Sequence, residues 1–258
     1  PLAFSVAALS LIHTLQTQAV TYVIQRYESL MGMFYLLSLY SVARSACSSQ
    51  PRLWETGAVL ACLASIACKE VAVSIPLMVL LYDRAFLSGS FREAWRLRRG
   101  MYLGLVGCWI ALAALMLFSG GREHWAGFQM CVPWFDYAKS QFGVILHYLQ
   151  LCFWPSPQVF DYRWPIAEGL DQILPGLVMV GGLLAATLWA LVRRPMWGTI
   201  GAFFFLVLAP TSSVMPIADL AFEHRMYLPL ASVVVLVVVA GYELLSRWFA
   251  NNLVREPT

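Results

Sequence analysis

Charge is scarce in this chain. Of its 258 residues only 12% are Asp, Glu, Lys or Arg, against 60% hydrophobic, and the mean hydropathy is +0.69. A soluble domain of this length has no core large enough to hide so much apolar surface, so the composition points to an integral membrane protein. GxGxxG, a Walker loop, HExxH and any Ser-His-Asp pattern are also missing, and no soluble-enzyme class is indicated. The six cysteines, at positions 47, 62, 68, 108, 131 and 152, never fall in a CxxC spacing and mostly lie inside apolar runs, so they read as packing residues. Nothing repeats at a fixed period, nothing is of low complexity, and there is no signal peptide. The formal charge of +3 comes from short Arg clusters between apolar runs, as orientation signals do, and indicates no nucleic-acid partner. The chain opens inside an apolar run, Pro1-Leu2-Ala3-Phe4, without an initiator Met, which is the pattern expected of a fragment.

What is there is organised around residues 53–84. Two apolar arms, 57–68 and 71–82, are joined by Lys69-Glu70 with no Gly, Asn or Asp to mark a turn. A bilayer core about 30 Å thick needs roughly 20 helical residues, so each arm is expected to be too short to span it alone. A charge at the centre of an apolar helix costs about 2.5–3.5 kcal/mol on insertion scales, so such residues face a polar cavity or each other. Lys69-Glu70 is therefore either a neutralised pair holding two helix ends together or part of a polar pocket open to one side of the membrane.

The rest of the chain reads as a multi-pass, all-α membrane protein. Residues 1–12 look like the tail of a transmembrane helix. Residues 14–28 place Thr14, Thr17, Gln18, Thr21, Gln25 and Glu28 on one face, which predicts an amphipathic helix at the membrane surface or a polar seam between packed helices. Spans are expected at 29–43, 101–118, 173–192, 197–214 and 227–245, with loops at 44–52 and 84–99. Gly120-Gly121 opens a polar, aromatic outer region that reaches Asp171. Within that region, an interfacial helix is expected at 138–154, where Lys139, Ser140, Gly143, His147 and Gln150 share one face of the wheel with the preceding Asp136. With 44–52, 84–99, 193–194 and the tail after 246 on one side, that side holds 11 of the 17 cations, all Arg, while nine of the 14 acids lie opposite. The positive-inside rule puts the Arg-rich side in the cytoplasm.

Four outward-facing constellations carry the chemistry. The first is His13 with Gln18, Gln25, Arg26 and Glu28; the second is Lys69-Glu70. The third includes Lys139, His147, Asp161, Tyr162 and Arg163. The fourth runs from Pro210-Thr211-Ser212-Ser213 through Asp219, Glu223, His224, Arg225, Tyr227 and Pro229. Dispersed cations near one face suit a phosphate or diphosphate, since guanidinium groups bind phosphate oxygens bidentately. The carboxylates beside them suit sugar hydroxyls or a metal. No cofactor is assigned, and a divalent metal is left open.

The blocks HTLQTQAVTYVIQRYESL, SIACKEVAVSIPLMVLLYD, LHYLQLCFWPSPQVFDYRWPI and APTSSVMPIADLAFEHRMYLPL occur in that order. Together they resemble the membrane half of the transmembrane and tetratricopeptide-repeat O-mannosyltransferase family, in its bacterial-type branch. The CKE and EHRMYLP blocks are the most specific parts. The resemblance covers nearly all of the chain and implies a GT-C glycosyltransferase fold, a helical bundle with interfacial helices on its outer face and a cavity opening to the periplasm. It implies an inverting enzyme of the bacterial inner membrane that moves a mannose-like sugar from a polyprenyl-phosphate-linked donor to Ser/Thr hydroxyls of an acceptor protein. The catalytic base is then an acidic residue in a first outer loop, expected upstream of Pro1, and tetratricopeptide repeats are expected beyond Thr258. Gln25, Arg26, Lys69, Glu70, Asp161, Tyr162, Glu223, His224, Arg225 and Tyr227 are carried over to donor phosphate and active-site architecture, with His13 as a further candidate. Lys69, Arg26 and Arg225 are expected to converge on one phosphate-binding cavity, with Glu70 and Glu223 setting their geometry.

Two rivals use the same residues differently. A transporter or flippase for a lipid-linked substrate would use the same buried charges, but no two similar halves are found. A non-catalytic membrane anchor for a helical-repeat domain needs no polar cavity, so it predicts tolerance of alanine at Lys69 and Arg225.

Overall fold

A computed structural model describes residues 1–118, 133–213, 216–217 and 219–253. The expected opening of the outer region at Gly120-Gly121 lies outside the described residues. Ten α-helices follow one another: α1 (Leu2–Ile12), α2 (Thr17–Thr21), α3 (Arg26–Ser45), α4 (Pro51–Cys68), α5 (Ile75–Tyr82), α6 (Phe91–Phe118), α7 (Trp134–Phe153), α8 (Leu170–Arg193), α9 (Pro195–Leu208) and α10 (Pro229–Leu253). Among the described residues there is no strand.

Four helical segments are long and apolar enough to cross a membrane: Glu70–Ser88, Phe91–Phe118, Leu170–Arg193 and Pro229–Ala250. The first corrects the expectation of two short arms. The second arm runs on through a π-helical turn, Asp83–Ser88, and the whole segment reaches 19 residues. The turn ends at Gly89, whose φ of 74° suits a residue without a side chain. The expected loop at 84–99 is thus largely helical, and α6 already begins at Phe91. The 20 residues of α3 exceed the expected 29–43 span, yet α3, which carries Arg26, Glu28 and Arg44, is not among the four. The single amphipathic helix expected over 14–28 is instead three short pieces followed by the start of α3, set off from α1 by extended backbone at His13 (ψ 129°) and broken at Tyr22 (ψ 113°).

Lipid gives helices no hydrophobic reason to associate, so close approach and hydrogen bonds must hold them. The α3–α4 pair shows both. Ser38 Oγ donates to the Ala58 carbonyl at 2.9 Å, and Ser65 Oγ to the Met31 carbonyl at 3.0 Å. Small residues, Ser41 and Ser45 on one helix and Ala58 and Ala61 on the other, are buried along the two helices. The large apolar side chains of α8, such as Val178, Leu188 and Trp189, remain exposed on the outside.

Two apolar clusters form. One joins α3, α4, α5 and α6, and the other joins α7, α8 and α10 with Leu15. Helix α9 belongs to both, because Phe203 and Val207 enter the first and Phe204 and Leu208 the second. The turn before α10 also straddles them, with Met226 in one cluster and Leu228 in the other.

The π turn after α5 and the start of α6 share a separate buried polar knot. Asp83 is fully buried and accepts from Arg98 Nη1 at 2.9 Å, Ser88 Oγ at 2.6 Å and Tyr102 OH at 2.7 Å. Arg98 has non-helical backbone angles (φ −126°, ψ 32°), so α6 is kinked where its side chain reaches Asp83.

Candidate functional site

The EHR run sits in a 3-10 turn, Glu223–Met226, entered through extended backbone at Phe222. A 3-10 helix has three residues per turn, so consecutive side chains point about 120° apart. The three charged or polar groups therefore leave in three directions. All three residues are buried.

Glu223 turns to the segment between α7 and α8. Its Oε1 accepts from the Tyr162 hydroxyl at 2.6 Å and from the Val159 amide at 3.0 Å. Burial pushes the Tyr162 phenol up from its ordinary value, and the bond to the Glu223 carboxylate adds to this. Glu223 thus pins the segment between α7 and α8, which differs from the expected role of setting the geometry of Lys69 and Arg225.

Arg225 turns to the stretch between α9 and α10. Nη1 donates to the carbonyls of Leu220 (2.9 Å) and Thr211 (3.2 Å), and Nη2 to that of Asp219 (2.6 Å). The same stretch is gripped by one face of α7: Tyr137 OH donates to the Thr211 carbonyl, Gln141 Nε2 to that of Leu220, and the Phe222 amide donates to Tyr148 OH. The guanidinium is occupied by backbone. Three carbonyls leave it little capacity for phosphate.

His224 turns to the first block of the chain. Gln18 Oε1 accepts from the His224 amide at 2.9 Å and faces the imidazole Nδ1 at 3.3 Å. The Gln18 Nε2 group donates to the Phe160 carbonyl, which fixes the amide orientation and assigns the imidazole proton to Nδ1. Burial drives the His224 pKa far below the usual imidazole value, and Lys69 and Arg225 lower it further. The ring is neutral, and both cations act on it.

Lys69 is the extended residue (φ −158°, ψ 144°) that interrupts the helix between α4 and the Glu70–Ser74 turn. Its ammonium pairs with Glu28 Oε1, from the first turn of α3, and stands 5.4 Å from the centre of the Tyr27 ring. One expected alternative paired Lys69 with its sequence neighbour Glu70, whereas the structure supplies a carboxylate 41 residues upstream. Glu28 Oε2 is buried and without a hydrogen-bond partner among the described residues. It borders a small cavity of about 10 Å³ together with Thr211, His224, Arg225, Tyr227 and the apolar Val71 and Val207. That is room for about one water molecule.

Other candidates fall elsewhere. Arg26 stays exposed; two residues along a helix is about 200° of rotation, so when Glu28 faces inward Arg26 faces out. His13 is structural: Nδ1 accepts from the Leu15 amide and Nε2 donates to the Cys152 carbonyl, tying the start of the chain to the end of α7. Asp161 is exposed and accepts from the Arg163 amide in a local turn, where Arg163 has a φ of 41°. Gln25 is half-buried, Glu70 is half-buried at the junction, and Tyr227 contributes its ring to the cavity and its carbonyl to Gln16 Nε2. On α7 the expected polar face is divided. Ser140 is buried under the Ala167 amide, His147 is covered by Tyr162 and Trp164, and Gln150 is exposed.

Among the described residues no group of three or more His, Cys, Asp or Glu could hold a metal. Tyr137, Gln141 and Tyr148, which shape the site, carry no signal in the sequence that separates them from ordinary core residues. No family model, curated protein or solved structure matches the chain. The resemblance drawn from the four blocks rests on those residues themselves.

Proposed function

We propose that the chain is the membrane part of a glycosyltransferase that takes a mannose-like sugar from a polyprenyl-phosphate donor and delivers it to protein Ser/Thr hydroxyls on the outer side. One observation carries this reading: residues from all four blocks meet at one end of the helical assembly. Gln18 holds His224, Gln16 holds Tyr227, Lys69 meets Glu28, and Tyr162 meets Glu223. The apolar residues between blocks serve only to bring them there.

In this reaction the acceptor oxygen attacks the anomeric carbon, the bond from that carbon to the phosphate oxygen breaks, and polyprenyl phosphate leaves. The hydroxyl proton goes to the acidic base expected upstream of Pro1. Lys69 is the group suited to the leaving phosphate, because its ammonium pairs with a single carboxylate and its side chain keeps 13% exposure. Arg225 is assigned to holding the 211–220 stretch in place. Donor binding requires Lys69 to exchange Glu28 for phosphate and the small cavity to widen.

The test is donor retention by the chain in nanodiscs, read with a photoreactive polyprenyl-phosphate-mannose. Crosslinking near Lys69, lost in Lys69→Ala and retained in Arg26→Ala, is expected. Absence of crosslinking at saturating donor would overturn the reading. Cysteine labelling tests the orientation: a cysteine at Gly169 is expected to react from the periplasm and one at Gly89 from the cytoplasm.

The closed cavity favours a second reading, in which the junction is a structural knot of a membrane anchor. That reading expects Lys69→Ala to change stability and to leave donor retention at background in both proteins.

A further inference from the structure

The opposite end of the bundle carries exposed guanidinium groups that neither the fold nor the proposed reaction uses. The kink at Arg98 divides α6 in two. Residues 99–118 cover roughly 30 Å, the thickness of a bilayer core. The turns before the kink, FREAWRL, are then left at headgroup depth. Arg92 and Arg96 lie at i and i+4 on one face of the turns before the kink, and Arg99 follows directly after it. Arg96 is paired only with Glu93 and its side chain is 74% exposed. Arg92 and Arg99 are exposed and have no ion-pair partner among the described residues.

Arg84 ties this segment to the end of α8. Its guanidinium lies 4.7 Å from the centre of the Phe91 ring and donates to the Leu191 carbonyl at 2.9 Å. Arg193 and Arg194 follow Leu191 closely and are also exposed. Between the cations stand Phe91, Trp95 and Leu97, all exposed, while Ala94 is fully buried and anchors the segment. The Asp83 knot fixes the angle, because Arg98 leaves the helical path to reach it.

We propose that Arg92, Arg96 and Arg99, with Arg193-Arg194 beside them, form a binding site for the phosphate of anionic phospholipid. Three features select this ligand. Exposed aromatic and aliphatic side chains interleaved with arginines match the boundary between headgroup and acyl chain, and suit neither a soluble peptide nor a nucleic acid. The cations exceed the local acids once Arg98 is assigned to Asp83 and Arg96 to Glu93. Finally, orientation alone is served by Lys as well as Arg, yet all 11 cations on this side are Arg; the planar fork grips two phosphate oxygens where an ammonium grips one. The inference requires a membrane and is independent of the glycosyltransferase reading.

Native mass spectrometry of the detergent-solubilised chain with equimolar phosphatidylglycerol and phosphatidylcholine tests it. Three guanidinium groups acting together correspond to an anionic preference on the order of a hundredfold at low salt, falling as salt is raised. The Arg92→Gln/Arg96→Gln/Arg99→Gln variant is expected to lose most of the preference, and Arg163→Gln, on the outer side, to keep it. Equal retention of the two lipids, or an unchanged preference in the triple variant, would falsify the site. Should that variant unfold, photoreactive phosphatidylglycerol on the unaltered chain decides: labelling of residues 84–99 supports the site, and labelling confined to the outer segments overturns it.

Discussion

Gln18 Oε1 accepts a 2.9 Å hydrogen bond from the backbone amide of His224, across 206 residues of chain. The bond joins the first polar block to the last and is partly buried. A buried amide left without its acceptor costs about 1–3 kcal/mol. Gln18→Leu is therefore expected to lower the unfolding midpoint in detergent by that equivalent, and Gln18→Glu, which retains an acceptor, to lower it less. Equal midpoints for Gln18→Leu and the unaltered chain would remove the bond from the account.

The neutral His224 gives stability a pH dependence of definite sign. In the folded chain its pKa is depressed below the ordinary 6.5. The unfolded chain then binds more protons below that pH, so stability is present above about 6.5 and is lost as the pH falls. The slope contributed is up to about 1.4 kcal/mol per pH unit. Thermal unfolding followed from about pH 7.5 to about pH 5 should show a shallower decline in His224→Gln than in the parent.

Lys69 and Glu28 pair where both side chains are largely removed from solvent, with exposures of 13% and 4%. Lys69→Ala leaves a buried carboxylate unpaired, at a cost of about 3–5 kcal/mol. Lys69→Met combined with Glu28→Gln removes both charges and should recover most of the loss. A double variant as unstable as Lys69→Ala would show that packing, not charge pairing, matters at this position.

At the other end, Asp83→Ala strands Arg98, whose side chain is only 10% exposed, and about 3–5 kcal/mol should be lost. Tyr102→Phe removes a single hydrogen bond and should cost about 1–3 kcal/mol. Because Asp83 also sets the kink in α6, Asp83→Ala should weaken phosphatidylglycerol retention, whereas Tyr102→Phe should leave it nearly intact.

At Gly176 the backbone of α8 passes close against that of α7. A Cβ there would stand 2.5 Å from the Phe142 carbonyl oxygen, a backbone atom that cannot swing aside. Gly176→Ala should cost about 1–3 kcal/mol through overpacking. A crystal structure of the variant with an unchanged helix separation would contradict this.

Composition alone determined that the chain is an apolar helical protein of a membrane, because hydropathy and helix length are local quantities. The run of arginines and the EHRMYLP and CKE blocks were legible for the same reason: unusual residues stand out against an apolar background. Helix ends were less legible. The π turn after Tyr82 and the start of α6 depend on Asp83 reaching Ser88, Arg98 and Tyr102, contacts up to 19 residues apart that helical periodicity does not signal. The pattern at 14–28 predicted one amphipathic helix, but the backbone is extended at Tyr22, and Gln16 and Gln18 reach across to Tyr227 and His224. Tertiary structure alone decided which charges pair. Lys69 takes Glu28 and not its neighbour, Arg225 takes backbone carbonyls, and Arg26 takes nothing in the site. The reason is physical: burying an ion is costly unless a partner arrives with it, and the partner is set by how α3, α4 and the turn before α10 pack, not by distance along the chain.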